Sequence, residues 1–168
     1  ELTPEDYIFG GATKVPDEIL QTNGDWSAYL PVDELQRKNG LETMNCTNYG
    51  TLNCLETIVL RKYGIVADYA ERYTGVLTGT TIYGNSPQTV IEIIRRTAGL
   101  IPEILLPFDA TIDTWGKYYS PNPMEPWYVY QGRKWLDTYT IKHEYVFDPR
   151  LNTTKENMLK AALKASPL

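Results

Sequence analysis

Residues 45–63 read NCTNYGTLNCLETIVLRKY, and the reading of this stretch sets the organisation of the whole chain. Apolar side chains fall at Tyr49, Leu52, Leu55, Ile58, Val59 and Leu60, close to the 3.6-residue period of a helix buried along one side. Asn45 is a good N-cap type, and Gly64 can take the left-handed conformation that stops the last turn. The spacing predicts an ordinary buried helix over 45–63.

The flanks are weaker in pattern. Pro4, Gly10, Gly11, Pro16 and Gly24 punctuate residues 1–25 too often for a long helix, so this part reads as an irregular extended arm. Residues 26–41 also read as loop, with Pro31 and Gly40. Downstream, Asp68 and Glu71 have capping-box spacing for a second helix. TGTTIYGN (78–85) is a loop, and Ser86-Pro87 then supplies an N-cap and an N1 proline for a third helix. Val90, Ile91 and Ile94 form its apolar stripe; Gly99 and Pro102 end it. Residues 102–126 are loop-rich, with one helical turn expected over 111–118.

Residues 128–130 and TYTIKHEYVF (138–147) are rich in Tyr, Thr, Ile and Val, the types that suit a pleated, half-buried surface, and are read as strands. Thr153 and Glu156 have capping-box spacing for a last helix with Met158, Leu159, Ala162 and Leu163 on one face. Two lone strands do not make a stable sheet. They must pair with the N-terminal arm or be completed by chain outside these residues.

Composition narrows the function classes. The 168 residues are 42% hydrophobic and 22% charged, enough for a core and unlike a disordered tail. Sixteen Lys+Arg against twenty-one Asp+Glu give a net charge of −5, which disfavours non-specific nucleic-acid binding through phosphate contacts. No apolar run approaches the roughly 18–20 residues of a membrane span, so no membrane partner is expected. The first residues, ELTPEDYIFGG, show neither a basic start nor an apolar h-region. Compartment stays open. One histidine and two cysteines are too few for the spaced Cys/His pairs of a zinc site, and they allow at most one disulfide. No metal and no cofactor is expected.

Cys46 is the position with the sharpest chemistry. It opens the best-defined helix, where unsatisfied N–H groups and the positive end of the dipole favour a thiolate, the nucleophilic form. Free cysteine is among the most buried residue types, so the position also suits a small buried hydrophobe. Cys54, mid-helix, has no such advantage and reads as core; the two Cα atoms would lie roughly 12 Å apart, too far for a disulfide. Asp109 and Asp113 read as solvated loop acids. PWYVYQGRKW (126–135) reads as strand packing rather than a stacking platform for sugars or bases.

The run DW (25–26), Pro31-Val32, Gln36 and NCTNYGTLNCLE (45–56) resembles the start of the papain-like cysteine peptidases. In that family a DW-containing segment leads to a glutamine, then to a nucleophilic Cys that opens a long central helix, with a Glu ten residues later. Here Glu56 stands ten residues after Cys46, and an aromatic and a small residue, Tyr49 and Gly50, match in place. Thr47 replaces the family's Trp, and Thr43, Met44 and Asn45 replace its Cys-Gly-Ser. Further along, YGNSP resembles the Gly-rich loop of the substrate cleft, and PEILLPFD the stretch past the following helix. The strand and helix over 138–166 resemble the entry to a second, β-rich lobe.

The resemblance implies an α+β, papain-like fold: a helical lobe with a central nucleophile-bearing helix, plus an incomplete β-lobe. It divides the chain into an arm (1–25), a helical lobe (26–118) and the start of a truncated β-rich lobe (119–168). It implies a thiol protease, a hydrolase that cleaves peptide bonds of a peptide or protein substrate through an acyl-enzyme on Cys46. Gln36 would donate to the oxyanion, and Gly84, Asn85 and Ser86 would bind extended substrate backbone. Nine residues separate Gln36 from Cys46, a longer spacer than the family's; Gln36 also reads as an exposed polar loop residue.

Such an enzyme needs an imidazole, which the papain pattern places about 130–150 residues after the Cys, beyond Leu168. His143, on the expected strand beside Lys142 and Glu144, reads as structural. The expectation is therefore an N-terminal portion, inactive alone, whose partner is the missing C-terminal half. The alternative is a non-enzymatic binding or structural module on the same scaffold.

Overall fold

The computed structural model describes residues 8–9, 19–120, 125–141, 143–147 and 152–167. In chain order the elements are β1 (Ile8–Phe9), a 3-10 turn at Ser27–Tyr29, β2 (Arg37–Lys38), β3 (Leu41–Glu42), α1 (Cys46–Tyr63), α2 (Glu71–Leu77) and α3 (Pro87–Ile93). A π-helical turn over Ile94–Ala98, a 3-10 turn at Glu103–Leu105, α4 (Trp115–Tyr118), α5 (Pro126–Thr138), β4 (Glu144–Tyr145) and α6 (Lys155–Leu163) follow. The fold is mixed α+β: helices dominate, and two small antiparallel sheets pair β1 with β4 and β2 with β3.

Helix α1 forms where the period predicts it, burying Tyr49, Leu52 and Val59. Gly64 ends it at φ 66°, with its N–H donating to Leu60 O at 2.9 Å. Helix α3 also starts as expected: Ser86 accepts from Thr89 N, and Pro87 opens the first turn. Helix α2 starts later than expected, after Ala70 and without a side-chain cap, because the Asp68 carbonyl accepts from Glu103 N instead. The cap of α6 falls on Thr154, one residue past the expected Thr153, and accepts from Asn157 N.

Within 119–168 the expected last helix is present as α6, but the strand expected over 128–130 is corrected by α5. PWYVYQGRKW is helical, not a strand. Pro126 opens the first turn, and the sheltered positions Tyr128, Gly132, Trp135, Leu136 and Tyr139 recur at helical spacing. The β-propensity of aromatic residues is a weak preference that packing overrides. Of the described residues in the strand expected over 138–147, only Glu144–Tyr145 is paired, and it pairs with the N-terminal arm: Ile8 opposite Tyr145, Phe9 opposite Glu144.

The chain divides into two compact units. One comprises Glu1–Pro31, Asn53–Ala67 and Lys142–Leu168. Within it the end of α6 receives the segment after the arm: Leu20 and Gln21 both donate to Lys164 O at 2.9 Å, and the buried Trp26 indole donates to Leu163 O at 2.6 Å. Arg61 donates from Nε to Leu20 O and lies over the Tyr29 ring.

The other unit comprises Val32–Leu52 and Asp68–Ile141. One cluster of its core is Ala70, Tyr73, Ala98, Ile101 and Leu106; a second is Leu41, Phe108, Ile112 and Tyr118. Helix α5 packs backbone against backbone. A Cβ on Gly132 would collide with Ala98 O and the Tyr73 hydroxyl, and a Cβ on Gly99, itself at φ 61°, would collide with Gly132 O. The Tyr73 hydroxyl donates to Ala98 O at 2.8 Å in the same place.

Gly132→Ala should lower unfolding free energy by about 3 kcal/mol or more, because one colliding group is the backbone carbonyl of Ala98 and the other is the hydroxyl of the fully buried Tyr73, which is hydrogen-bonded to that carbonyl. Gly116→Ala, in open space on α4, should leave stability unchanged or raise it by up to ~1 kcal/mol. Urea denaturation of the two variants checks the contrast, and equal midpoints would contradict this packing.

Candidate active site

The residues before Cys46 form a hairpin whose turn is written in the sequence. Asn39 and Gly40 sit at φ 54° and 75°, the left-handed pair that a two-residue hairpin turn requires. β2 and β3 pair across it, Arg37 opposite Glu42 and Lys38 opposite Leu41. Asn39 Nδ2 anchors the tip on Asp109 O and Ile112 O, at 2.8 and 3.0 Å. The long spacer between Gln36 and Cys46 is thus folded back on itself, and Thr43 Oγ1 donates to Gln36 O at 3.0 Å.

The Gln36 side chain is not left loose in a loop. Its Nε2 donates to Glu42 Oε1 at 2.8 Å, and the same carboxylate oxygen accepts from Met44 N at 3.2 Å. Gln36 Oε1 is buried with no hydrogen-bond partner among the described residues. Met44 then takes φ 54°, a left-handed conformation that costs a non-glycine residue on the order of 1–2 kcal/mol, and turns the chain into α1.

Asn45 occupies the position before the helix, and its carbonyl accepts from Asn48 N and Tyr49 N. Its side chain links to other side chains and elements rather than to the helix backbone. The buried amide donates to Glu71 O at 2.9 Å and to the Tyr118 hydroxyl at 3.0 Å. Asn45 Oδ1 accepts from Asn48 Nδ2 at 2.7 Å, and Asn48 Nδ2 also reaches Thr80 Oγ1 at 2.9 Å. Thr78 Oγ1 donates to Asn48 Oδ1 at 3.2 Å. This chain of buried amides and hydroxyls fixes the first turn of α1 to α2 and to the loop after it.

Cys46 is exposed at that first turn, and Cys54 is half-buried. Burial pushes the Cys54 thiol up to about 11. The loop expected to bind substrate reaches the same end of α1. Thr47, next to Cys46, donates from Oγ1 to Asn85 O at 2.9 Å, and Asn85 Nδ2 donates to Thr78 O at 2.8 Å. Gly84, at φ 83°, passes close to Met44 O, and Ser86 N donates to Asn85 Oδ1. Tyr119 donates to Thr43 O at 2.8 Å; burial first, and then the charge of a Cys46 thiolate, pushes its phenol up.

The structure therefore brings Cys46, Gly84, Asn85 and Ser86 to one helix end and ties Gln36 to the segment that leads there. Tyr119, Glu42 and the Asn48–Thr78–Thr80 network were not singled out from sequence. Only the hairpin had a readable signal, Asn39-Gly40 itself.

No imidazole belongs to this unit: the single histidine, His143, lies in the other. Among the described residues no group of three or more His, Cys, Asp or Glu is placed to hold a metal ion, and no helix is long and apolar enough to cross a membrane. Asp109 and Asp113 are engaged locally with Thr111 and Lys117.

Asn48→Ala should destabilise the unit by about 3 kcal/mol, since it strips partners from three buried groups at once. Thermal and urea unfolding check this, and a loss below ~1 kcal/mol would show that the network is not the tie described.

No family model matches the chain, and neither any curated protein nor any solved structure matches it.

Proposed function

We propose that the chain is the N-terminal portion of a papain-like cysteine peptidase, with α1 as the central helix of its helical lobe. The observation that carries this reading is the exposed Cys46 thiol at the first turn of α1, beside the Gly84–Asn85–Ser86 loop that Thr47 holds. Cys46 stands exposed at the first turn of an eighteen-residue helix, whereas Cys54 is half-buried on the same helix.

In the proposed reaction the Cys46 thiolate attacks a peptide carbonyl carbon, forming a C–S bond and an oxyanion. Gln36 Nε2, which has a second N–H besides the one given to Glu42, donates to that oxyanion. Collapse breaks the C–N bond, and the amine leaves with a proton from an imidazolium. Water then hydrolyses the thioester to a carboxylic acid and restores the thiol. Gly84, Asn85 and Ser86 hold the substrate as an extended strand. Under this reading the imidazole is supplied by chain outside these residues, so the 168 residues alone do not turn over peptides.

A second reading, a binding module that keeps the scaffold without the chemistry, draws on one observation: the unit that contains Cys46 has no histidine. Extending the reading frame separates the two. A continuation that supplies a His and then an Asn should give peptidase activity that is lost in Cys46→Ala and kept in Cys54→Ala; a stop codon favours the binding module.

On the 168-residue chain, iodoacetamide at pH 7.5 should alkylate Cys46 at least about tenfold faster than Cys54. With its thiol up at about 11, Cys54 is a thiolate in only roughly one molecule in three thousand at that pH. Peptide mapping by mass spectrometry reads both rates, and equal rates would remove the case for Cys46 as a nucleophile.

A further inference from the structure

Glu42 makes two hydrogen bonds in the segment before Cys46 that the proposed chemistry leaves unexplained. It stands on β3, opposite Arg37 of β2, and its Oε1 accepts twice: from Gln36 Nε2 at 2.8 Å and from Met44 N at 3.2 Å. Both bonds run to one oxygen. The Gln36 amide nitrogen and the backbone nitrogen two residues before Cys46 are therefore gathered at a single point.

Donor and acceptor types make this arrangement one-way. A backbone N–H only donates, so Met44 N selects an oxygen from the side chain at position 42. A carboxylate only accepts, so that oxygen selects the nitrogen end of the Gln36 amide. Turned over, the amide would set its Oε1 against Glu42 Oε1, two acceptors with no proton between them.

The other ties in this region hold backbone and leave the terminal amide alone. Thr43 Oγ1 donates to Gln36 O, Tyr119 donates to Thr43 O, and Asn39 anchors the hairpin tip on residues 109 and 112. They place the Gln36 main chain but do not decide which way up its amide lies. Gln36 Oε1 is buried with no hydrogen-bond partner among the described residues, so it does not decide this either. An orphaned buried acceptor is unfavourable, and the amide keeps this orientation because Glu42 imposes it.

We propose that Glu42 is a positioning residue: by accepting from both Gln36 Nε2 and Met44 N, it fixes the Gln36 amide with its nitrogen at the segment that leads into Cys46. Its value to catalysis rests on the peptidase reading above. Under that reading the second Nε2 proton is offered to the oxyanion, whereas an overturned amide would present an oxygen to a negative charge. Glu42 touches no reacting atom. Its own charge opposes an oxyanion, so what it contributes is geometry, and an uncharged acceptor of the same shape serves as well.

Two measurements on the full 168-residue chain test this and separate the positioning from the chemistry. In nitrogen-15 NMR, a Gln36 Nε2 proton should show a nuclear Overhauser contact with the Met44 amide proton, since both point at one oxygen. Glu42→Ala should move the Gln36 signals to those of a free glutamine side chain and speed their exchange with water at least about tenfold, with circular dichroism unchanged. Glu42→Gln, whose side-chain oxygen Met44 N still selects, should keep both features; it and the unaltered chain test the proposal even if Glu42→Ala does not fold.

The second measurement is the affinity of a peptide aldehyde, acetyl-leucyl-glycinal, for Cys46. The sulfur–carbon bond forms, the carbonyl π bond opens, and the thiol proton ends on the former carbonyl oxygen, which occupies the oxyanion position. Glu42→Ala and Gln36→Ala should each weaken this adduct about tenfold, and the double variant no more than either alone, because Glu42 acts through Gln36. Glu42→Gln should stay within about threefold of the unaltered chain. The proposal is overturned if the Overhauser contact is absent, if the Gln36 signals are indifferent to Glu42→Ala, or if the two single losses add in the double variant. If Cys46→Ala takes up the aldehyde as well as the unaltered chain does, the peptidase reading fails instead, and the NMR measurement still decides the role of Glu42.

Discussion

A single buried amide, that of Asn45, holds the larger unit together at the start of α1. It donates to the backbone of α2 and to the hydroxyl that α4 supplies, and its own oxygen is taken by Asn48. In a low-dielectric setting each of these groups is costly to leave unpaired, so the network is stable only when all of its members are in place. Gly75 makes room for it: a Cβ there would stand 2.8 Å from Asn45 Oδ1. The first turn of α1 is thereby fixed by hydrogen bonds, which are directional, rather than by apolar packing, which is not.

That difference matters for a thiol. Apolar burial would raise the cost of a thiolate, as it does for Cys54 one-half of the way down the same helix. At Cys46 the buried work is done by the residue before it, and the sulfur itself stays exposed. Thr47 on the other side carries the tie to Asn85. Cys46 is thus held from both neighbours without being covered.

The hairpin before the helix obeys the same logic. Its turn, its anchor on residues 109–112 and the strained Met44 deliver the chain to Asn45 in one direction. Gln36 and Glu42 meet because β2 and β3 run antiparallel, and Lys38 lies over the Phe108 ring of the neighbouring core cluster. On the far side, α5 approaches the 98–99 backbone so closely that glycine is required at both contact points. Polar ties at one end and bare backbone contact at the other leave few degrees of freedom for the elements between them.

The sequence by itself determined the elements whose signals are local. Helix α1 follows from its apolar period, α3 from Ser86-Pro87, and α6 from a capping threonine misplaced by one residue, while α4 falls within the turn expected over 111–118. Position at a helix start was enough to single out Cys46. Tertiary structure decided the rest. Aromatic-rich 126–138 is helical because Gly132 can seat a helix on residues 98–99, a contact between positions more than thirty residues apart that no local propensity encodes. The tie from Gln36 to Glu42 and the partners of Asn45 likewise join side chains whose neighbours exist only once the chain has folded. Periodicity and capping act over a few residues, whereas a buried polar group is specified by whatever the fold brings to it.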